Sequence, residues 1–376
     1  MFRFHVVGFP HTATSKHAFL HCGYTQKVLN FCKMMLARGH TVYHYGGEGS
    51  DVECTEHAQI ATRAEREGWL KSDWDKGEFP DMEFNPGKPY WQTFNSRAVM
   101  AIHDRIQPRD FICLITGGTQ RSIADAFPKN PSVEYGVGYE GISLPFRCFE
   151  SRAWQHHVYG LYGIRNGVWY DTVIGNYYDP TDFPMGKRQG DYFLFLGRLI
   201  QRKLPHVAAD VCKRIGARLL IAGQGVTLKE PGKIYSRELC VVGDHVEHVG
   251  VANVERRAEL LGNARALFVM TQYIAPFEGV HIEANLCGCP VITTDWGVFP
   301  ETVENGVNGY RVRTMGEAMW AAQNVAKLNP DRIRERAITR FSLEAAAPQY
   351  EEWFRRIDGL HVPGHDWYDQ SAGRFE

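Results

Sequence analysis

Residues 275–312 read APFEGVHIEANLCGCPVITTDWGVFPETVENGVNGYRV. Their first part predicts a loop with Pro276 and Gly279 that opens a short helix carrying Glu283. A Gly-Cys-Pro break follows, and the β-rich residues 291–294 predict a strand. Backbone N–H groups at the start of a helix favour an anion, so this stretch predicts a site for a phosphate-bearing ligand.

A cluster of positive charge lies upstream, in the run FLGRLIQRK at residues 195–203. Gly197 ends a predicted buried strand and lets the backbone turn, which presents Arg198 and Lys203 at the carboxyl edge of the sheet. Arginine offers a forked donor for phosphate, and lysine supplies a mobile point charge. Taken alone, these cations fit a solvated loop equally well. The glycine turn Gly223-Gln224-Gly225 after the next strand is also a weak signal by itself.

Strands and helices alternate along the whole chain. Residues 4–9 and 41–45 predict strands on either side of a helix that begins near Gly23, and this βαβ order indicates a parallel sheet. Residues 47–90 are irregular and aromatic, and residues 177–191 predict a linker because they hold two prolines and two glycines. The pattern then restarts, so we expect two doubly wound halves with a ligand held between them. The remaining strands are predicted at 111–116, 133–139, 172–176, 192–196, 218–222, 245–249 and 266–270, and the remaining helices at 93–106, 153–162, 204–215, 253–263 and 342–357.

Composition limits the class of protein. At 376 residues the chain is long enough for two domains, and 44% hydrophobic with 23% charged residues is typical of a folded globular protein. A net charge of −1 excludes a global field that attracts nucleic acid or anionic lipid. The nine cysteines form no Cys-x-x-Cys pair, and no apolar run approaches the roughly 18–20 residues that span a bilayer. We expect a reduced, cytoplasmic protein without a signal peptide or transmembrane segment.

Taken together, the two clusters and the glycine turn between them resemble the nucleotide-sugar signature of retaining glycosyltransferases with the GT-B fold. The resemblance is to the glycogen-synthase and mannosyltransferase type, the glycosyl transferases group 1. It implies an α/β fold with two Rossmann-like, doubly wound domains that face each other across a cleft. It implies an acceptor-binding domain at residues 1–184, a donor-binding domain at 185–345, and a C-terminal helix and tail at 346–376 that cross back to the N-terminal domain.

The same resemblance assigns roles to individual residues. Arg198 and Lys203 would hold the donor diphosphate and stabilise it as it leaves, and Glu283 would accept hydrogen bonds from the ribose hydroxyls. Such enzymes generally need no bound metal, so we expect no cofactor and no metal site. The other donor-binding residues that the resemblance implies are Gly197, Gly223, Phe277, Gly279 and Val280.

One position departs from the family pattern. The family usually has two glutamates separated by seven residues, and here the first of these positions is Ala275, which cannot contact the sugar ring. Glu278 stands three residues on, where the family usually has glycine. Either Glu278 takes over the sugar contact as a catalytic residue, or it places a negative charge near the diphosphate, which would cost on the order of a few kcal/mol at about 4–6 Å. We favour the first hypothesis.

The acceptor side carries weaker signals. His11 and Gly23 lie on or after the loop that follows the first strand, and Tyr139 ends a later strand on the same edge. The acceptor stays open between a glycan, a lipid-linked molecule and a modified nucleic acid. Asp73-Trp74-Asp75 resembles the metal-binding motif of the GT-A architecture, but it follows no strand and is interpreted as a solvated loop.

The predicted function is therefore a retaining, hexosyltransferase-type glycosyltransferase that moves a sugar from a nucleotide sugar to an acceptor hydroxyl. Two alternatives stay open: a non-catalytic or weakly active sugar-nucleotide-binding protein, which the alanine at position 275 suggests, and a sugar-nucleotide epimerase on the same fold. A dinucleotide oxidoreductase is disfavoured because neither half has Gly-x-Gly-x-x-Gly at a strand–helix junction.

Overall fold

The computed structural model describes residues 1–17, 22–70 and 82–360, so Asp73-Trp74-Asp75 and the tail beyond residue 360 lie outside the described residues. The chain forms two compact units. The N-terminal unit contains Met1–Glu150, Val158–Ile174 and the segment that starts at Ala346. The C-terminal unit contains Ser151–His157 and Gly175–Ala345. The domain boundaries given by the resemblance, after residues 184 and 345, stay predictions.

The N-terminal unit is built on a parallel sheet whose seven strands, within the described residues, have the order β3-β2-β1-β4-β5-β6-β7. Phe4 pairs in register with Val42 on one side and with Phe111 on the other. The strands are β1 Arg3–Val7, β2 Thr41–Gly47, β3 Glu56–Ala61, β4 Phe111–Leu114, β5 Ser132–Val137, β6 Phe146–Phe149 and β7 Thr172–Val173. The helices are α1 Gly23–Ala37, α2 Arg63–Leu70, α3 Pro89–His103, α4 Arg121–Ala126 and α5 Arg152–Leu161, of which α5 begins in the C-terminal unit.

Aromatic side chains fill one layer of this unit. The ring of Phe354 lies 4.6 Å from the ring of Phe4 and 4.8 Å from that of Phe111, measured between centroids. The Tyr350 hydroxyl donates to the carbonyl of Tyr135 at 2.7 Å. The last helical residues are thus part of the core of the N-terminal unit, where burying a large ring stabilises by about 1.5–3 kcal/mol.

A buried ion pair lies under the end of β5. Lys27 Nζ is 3.0 Å from Glu150 Oε1, and both side chains are almost fully buried. Two glycines give these side chains room, because a Cβ on Gly136 would lie 2.7 Å from Lys27 Cε and one on Gly138 would lie 2.8 Å from Glu150 Oε2. Gly136 and Gly138 therefore leave the space that the Lys27 and Glu150 side chains occupy.

The C-terminal unit holds a six-stranded parallel sheet of order β13-β9-β8-β14-β15-β16 and a three-stranded antiparallel sheet of order β10-β11-β12. Its strands are β8 Tyr192–Leu196, β9 Arg218–Ala222, β10 Val226–Glu230, β11 Lys233–Ser236, β12 Cys240–Val242, β13 Val246–His248, β14 Leu267–Val269, β15 Val291–Thr294 and β16 Gly309–Val312. Its helices are α6 Pro205–Arg214, α7 Val254–Asn263, α8 Val280–Leu286, α9 Phe299–Thr302, α10 Met315–Asn324 and α11 Pro330–Phe341, and α12 Leu343–Leu360 continues into the N-terminal unit.

Strand β8 shows why this sheet forms. Phe193 and Phe195 belong to one hydrophobic cluster, and Leu194 and Leu196 belong to another. Since successive side chains of a strand point to opposite faces, both faces of the sheet are buried under helices, as in parallel sheets generally. The prediction of two doubly wound α/β halves is confirmed.

Some elements were not predicted from the sequence. The small sheet β10-β11-β12 and strand β3 carry mostly exposed or half-exposed side chains, so they lack the continuous apolar run that marks a buried strand. Within residues 1–17, 22–70 and 82–360, no helix combines the length and apolar character required to cross a membrane.

Candidate functional site

Two glycine turns meet at the carboxyl edge of the six-stranded sheet. Gly197 follows β8 with a φ of +154°, and Gly223 follows β9 with a φ of +147°. A Cβ on Gly223 would lie only 2.0 Å from the carbonyl oxygen of Gly197. The Gly197 amide donates to the carbonyl of Ala222 at 2.9 Å, which fixes the contact. Both positions therefore favour glycine through their backbone conformation, and Gly223 is required by the close approach as well.

The predicted phosphate-binding cations follow the first of these turns. Arg198 is exposed, and Lys203 ends a 3₁₀ turn, Gln201–Lys203. Lys203 Nζ lies 3.5 Å from the position that a Cβ on Gly197 would take, so its charge is held over the glycine turn. The guanidinium of Arg202 stacks on the Tyr273 ring at 4.2 Å from the centroid. The turn thus presents cations at the edge where parallel α/β sheets bind ligands.

Glu278 adopts the left-handed conformation, with a φ of +59°. This conformation favours glycine, the residue that the family usually has here, and costs another residue about 1–2 kcal/mol. The Glu278 side chain is only 5% exposed. Its Oε2 lies 3.1 Å from Lys203 Nζ, and its Oε1 accepts hydrogen bonds from the hydroxyls of Thr271 and Tyr273, each at 3.1 Å.

These contacts decide the charge of Glu278. Burial acts to raise the pKa of its carboxyl group, but the Lys203 charge and the hydrogen bonds from Lys203, Thr271 and Tyr273 outweigh burial, so the net pKa lies below the ordinary 4.5. Glu278 is therefore a carboxylate at neutral pH. The Glu278 carboxylate neutralises Lys203, which was predicted to bind the diphosphate. A negative charge beside the predicted diphosphate position is the arrangement that was expected to cost on the order of a few kcal/mol. The hypothesis that Glu278 also contacts the sugar stays a prediction.

Glu283 lies in the first turn of α8 and is paired with a cation that the sequence did not single out. Arg257 Nη1, from α7, lies 2.9 and 3.0 Å from the two carboxylate oxygens of Glu283. The pair fixes the orientation of the carboxylate that was predicted to bind ribose. Arg257 is one of two adjacent arginines on the amphipathic helix α7, and no local pattern distinguishes it from Arg256.

The other predicted residues around the loop before α8 pack against their neighbours. The Phe277 ring is buried 5.8 Å from the Phe341 ring, so its side chain belongs to the core. A Cβ on Gly279 would lie 2.2 Å from the Tyr178 hydroxyl. Val280 begins the helix, and Ala275, at 3% exposure, is also buried.

His281 supports this loop from beneath. Its Nδ1 lies 2.6 Å from the carbonyl oxygen of Glu278, and its Nε2 lies 2.8 Å from Thr302 Oγ1. Burial lowers the pKa of His281 to about 4, so the ring is neutral at pH 7. Because a carbonyl oxygen only accepts, the single ring proton lies on Nδ1 and donates to Glu278. His281 thereby helps to hold residue 278 in its left-handed conformation, a role that the sequence analysis missed.

The acceptor-side candidates belong to the N-terminal unit. Tyr139 lines a cavity of about 410 Å³ at the carboxyl ends of β4 and β5. The buried His11 ring lies 6.3 Å from the ring of Phe84, which lines the same cavity. Burial lowers the pKa of His11 to about 3. Gly23 is exposed at the first position of α1. The structure therefore places Tyr139 at this cavity and His11 beside it.

Comparison with known proteins finds a family model that matches part of the chain. Residues 182–342 match the family model described as Glycosyl transferases group 1. This segment is therefore similar to the group 1 glycosyl transferases. It contains Gly197, Arg198, Lys203, Gly223 and the whole loop before α8, so the resemblance seen in the sequence is confirmed where its motifs lie.

Similar proteins support the family and the fold. The D-inositol 3-phosphate glycosyltransferase of Rhodococcus erythropolis is 31% identical over 181 residues, which cover 44% of this chain and 39% of that protein. The chain thus spans about two fifths of that relative's length. AviGT4, a glycosyltransferase involved in avilamycin A biosynthesis, is 22% identical with a TM-score of 0.64 over 95% of this chain and 98% of its own. Anabaena HepE in complex with UDP-glucose is 15% identical with a TM-score of 0.60, over 95% and 100% of the two chains.

These solved structures share the architecture of both units, and the predicted GT-B fold is confirmed. Inside the matched segment 182–342, the predicted residues form two connected sets. One is Gly197, Lys203, Glu278 and Gly223, joined by the glycine contact and the ion pair. The other is Glu283 with Arg257. Among the described residues, no group of three or more His, Cys, Asp or Glu side chains has a metal-binding arrangement.

Proposed function

We propose that this protein transfers a hexose from a nucleotide sugar to an acceptor hydroxyl with retention of anomeric configuration. The observation that carries the proposal is the pair of glycine turns that holds Lys203 over Gly197 at the carboxyl edge of the sheet, next to Arg198. The group 1 match covers this same segment. Because the neighbour HepE is described with UDP-glucose, a UDP-sugar is the first donor to test.

The proposed mechanism needs no nucleophile from the protein. The bond between C1 of the sugar and the diphosphate oxygen breaks, and its electron pair leaves with the diphosphate. The acceptor oxygen bonds to C1 from the same face, and its proton passes to the departing phosphate oxygen. Arg198 and Lys203 stabilise the negative charge where it develops, which is the largest contribution in many enzymes. Glu283, oriented by Arg257, holds the ribose.

The positive charges of Arg198 and Lys203 also bear on whether the transfer needs a metal ion. Arginine and lysine side chains can replace a divalent metal ion as the partner of a leaving diphosphate. We therefore propose that transfer proceeds without a bound metal. A cytoplasmic location stays a prediction.

The first test combines donor and acceptor panels. The protein is incubated with UDP-glucose, UDP-galactose and GDP-mannose and with mixed acceptors, with and without EDTA, and nucleotide release and the anomeric signal of the product are followed by NMR. We expect one donor to give product of unchanged anomeric configuration, with a rate insensitive to EDTA. Arg198→Ala should lower kcat/KM about 10- to 100-fold, since a hydrogen bond to a charged group contributes about 1.5–3 kcal/mol.

Arg218→Ala is the matched control. Arg218 is an exposed arginine at the opposite end of β9 from Gly223, where it pairs with Glu247 on the surface. This variant should keep wild-type activity. Donor binding without turnover on any acceptor would favour a binding protein, which Ala275 and the Glu278–Lys203 contact motivate. Isomerised donor without transfer would favour an epimerase.

Glu278→Gln separates the two hypotheses about Glu278. The glutamine keeps the shape of the side chain and removes the charge that neutralises Lys203 at 3.1 Å. We expect UDP to bind about tenfold more tightly, because one charged contact is worth about 1.5–3 kcal/mol. Isothermal titration with UDP at two salt concentrations measures this change. Wild-type affinity for UDP together with lost turnover would instead assign Glu278 to the sugar.

A further inference from the structure

The carboxylate of Glu278 divides its contacts between its two oxygens. Its Oε2 lies 3.1 Å from Lys203 Nζ, whereas its Oε1 accepts hydrogen bonds from the hydroxyls of Thr271 and Tyr273, each at 3.1 Å. A carboxylate oxygen has two lone pairs, so hydroxyl donors fill both acceptor positions of Oε1. The carboxylate therefore keeps two hydrogen bonds even when Lys203 turns an N–H group away from Oε2.

The backbone around β14 and β15 holds the two hydroxyl donors in place. Thr271 is 1% exposed, and its carbonyl accepts a hydrogen bond from Thr294 Oγ1 on β15 at 2.7 Å. The amide of Gln272 donates to the carbonyl of Arg202 at 2.9 Å. This bond ties the loop after β14 to the 3₁₀ turn that carries Lys203, so the donors and the lysine are fixed around one carboxylate.

Tyr273 is a hydrogen-bond donor at neutral pH. Its ring is half-buried, and the guanidinium of Arg202 lies 4.2 Å from the ring centroid. Burial and the Glu278 charge raise the pKa of Tyr273 above its ordinary value of 10, against the charges of Arg202 and Arg198, so the hydroxyl keeps its proton. The neutral His281 ring donates to the main-chain carbonyl of Glu278 and adds no charge beside the carboxylate.

Lys203 can serve the carboxylate and a ligand phosphate together. An ammonium group has three N–H donors, and Lys203 Nζ lies over the turn at Gly197, 3.5 Å from the position that a Cβ there would take. A buried carboxylate with no other donor would hold this ammonium strongly and leave little of its charge for a phosphate. Hydrogen bonds from the two hydroxyls stabilise the Glu278 charge and weaken its hold on the lysine.

We propose that Tyr273 is a positioning residue: its hydroxyl holds the Glu278 carboxylate so that Lys203 stays available to the donor diphosphate. Thr271 assists through the same carboxylate oxygen. The inference rests on the proposed transfer function, in which Lys203 stabilises the leaving diphosphate. It accounts for a glutamate beside a phosphate-binding lysine, because two neutral donors share the charge that the lysine would otherwise neutralise alone.

Tyr273→Phe removes the hydroxyl and keeps the ring on which Arg202 stacks. The Glu278 carboxylate then attracts Lys203 more strongly, so UDP should bind about three- to tenfold more weakly, part of the contribution of one hydrogen bond to a charged group. In the Glu278→Gln background the same exchange should change UDP affinity less than about twofold, since no carboxylate competes for the lysine. Isothermal titration with UDP of the wild type, both single variants and the double variant measures this cycle.

Tyr235→Phe is the matched control. The Tyr235 hydroxyl donates to Glu230 Oε2 at 2.9 Å on the surface of the same unit, so this variant loses a similar hydrogen bond away from Lys203 and should keep wild-type UDP affinity. Equal losses on Tyr273→Phe with and without Glu278 would show that Tyr273 contacts UDP directly. Unchanged affinity in Tyr273→Phe would show that the hydroxyl does not control the lysine. Either result would overturn the proposal.

Thr271→Val is a second variant at the same carboxylate oxygen. Valine keeps the shape of the buried threonine and removes its hydroxyl, so UDP binding should weaken by a similar factor, about three- to tenfold. Glu278→Gln should abolish this loss as well. Tighter UDP binding in Thr271→Val would contradict the proposal, because a carboxylate with fewer donors cannot release the lysine more readily.

Titration of the Glu278 carboxyl group separates positioning from packing. In protein with isotope-labelled glutamate, its NMR signal is the one absent from Glu278→Gln. UDP should raise the pH at which this signal titrates, because the diphosphate takes part of the Lys203 charge. Tyr273→Phe should raise it without UDP, because the carboxylate loses a hydrogen bond. A titration that neither change moves would overturn the proposal.

These measurements need no acceptor and no turnover, so they distinguish this inference from the proposed function. The expected UDP cycle without sugar transfer on any acceptor would support the positioning role and contradict the transferase. UDP binding that is indifferent to Tyr273→Phe would overturn the positioning role alone. Absence of UDP binding in the wild type would overturn both.

Discussion

Lys203→Ala should lower kcat for sugar transfer by about 100- to 1,000-fold, the loss that follows removal of one preorganised group at a developing negative charge. The same substitution should also destabilise the protein, because Glu278 would stay buried without its partner at 3.1 Å. Breaking a buried ion pair costs about 3–5 kcal/mol. Steady-state kinetics and urea unfolding of the variant measure the two effects separately.

The double variant with Lys203→Ala and Glu278→Gln distinguishes catalysis from folding. Removing both charges should recover most of the lost stability and none of the lost transfer. Recovery of transfer in the double variant would show that Lys203 acts only by compensating Glu278. In that case the proposal that Lys203 binds the diphosphate would be wrong.

The ion pair also predicts a pH dependence of stability. The pKa of Glu278 is lower in the folded protein than its ordinary 4.5. The folded state therefore binds a proton less readily than the unfolded state, and the pair contributes stability above about pH 4.5. This contribution is lost as the pH falls through the lowered pKa. Glu278→Gln should remove that part of the acid dependence, which unfolding curves between pH 3 and 6 would show.

Lys27→Met should destabilise the N-terminal unit by about 3–5 kcal/mol. Methionine has a similar length to lysine, but it leaves the Glu150 carboxylate buried without the ammonium at 3.0 Å. Thermal unfolding and urea titration measure the loss. A loss of unfolding free energy below about 1 kcal/mol, which is what an exposed ion pair contributes, would contradict the burial of this contact.

A variant with both Lys27→Met and Glu150→Leu is the control for this prediction. Replacing a buried ion pair with apolar side chains of similar volume is often neutral. The double variant should therefore be more stable than Lys27→Met alone. Lys33→Met is the matched surface control, since Lys33 pairs with Glu53 at 3.0 Å in an exposed position and should change stability little.

Much of the fold could be predicted from local pattern. The apolar run at 192–196 gives β8 with its predicted bounds, and the glycines at 197 and 223 do end their strands. These features depend on neighbours in sequence, where strand period and glycine conformation act directly. The small sheet β10-β11-β12 escaped prediction because its side chains stay exposed and leave no hydrophobic period.

The candidate site was less predictable because its contacts are distant in sequence. Glu278 and Lys203 are 75 residues apart, and Arg257 and Glu283 are 26 apart. No pattern in one sequence states which lysine meets which glutamate. The departure from the family pattern at positions 275 and 278 did point to this loop, and Glu278 has the left-handed conformation that favours glycine.

The contact between Gly197 and Gly223 has a consequence for directed evolution of donor preference. The carbonyl of Gly197 already occupies the volume that any side chain at position 223 would need, so libraries that randomise position 223 would mostly encode misfolded clones. Diversity is better placed at Arg202, whose guanidinium stacks on the Tyr273 ring beside the same turn, whereas Tyr273 itself donates a hydrogen bond to the buried Glu278 carboxylate. The contact between the two glycines therefore limits which positions of this turn can be varied.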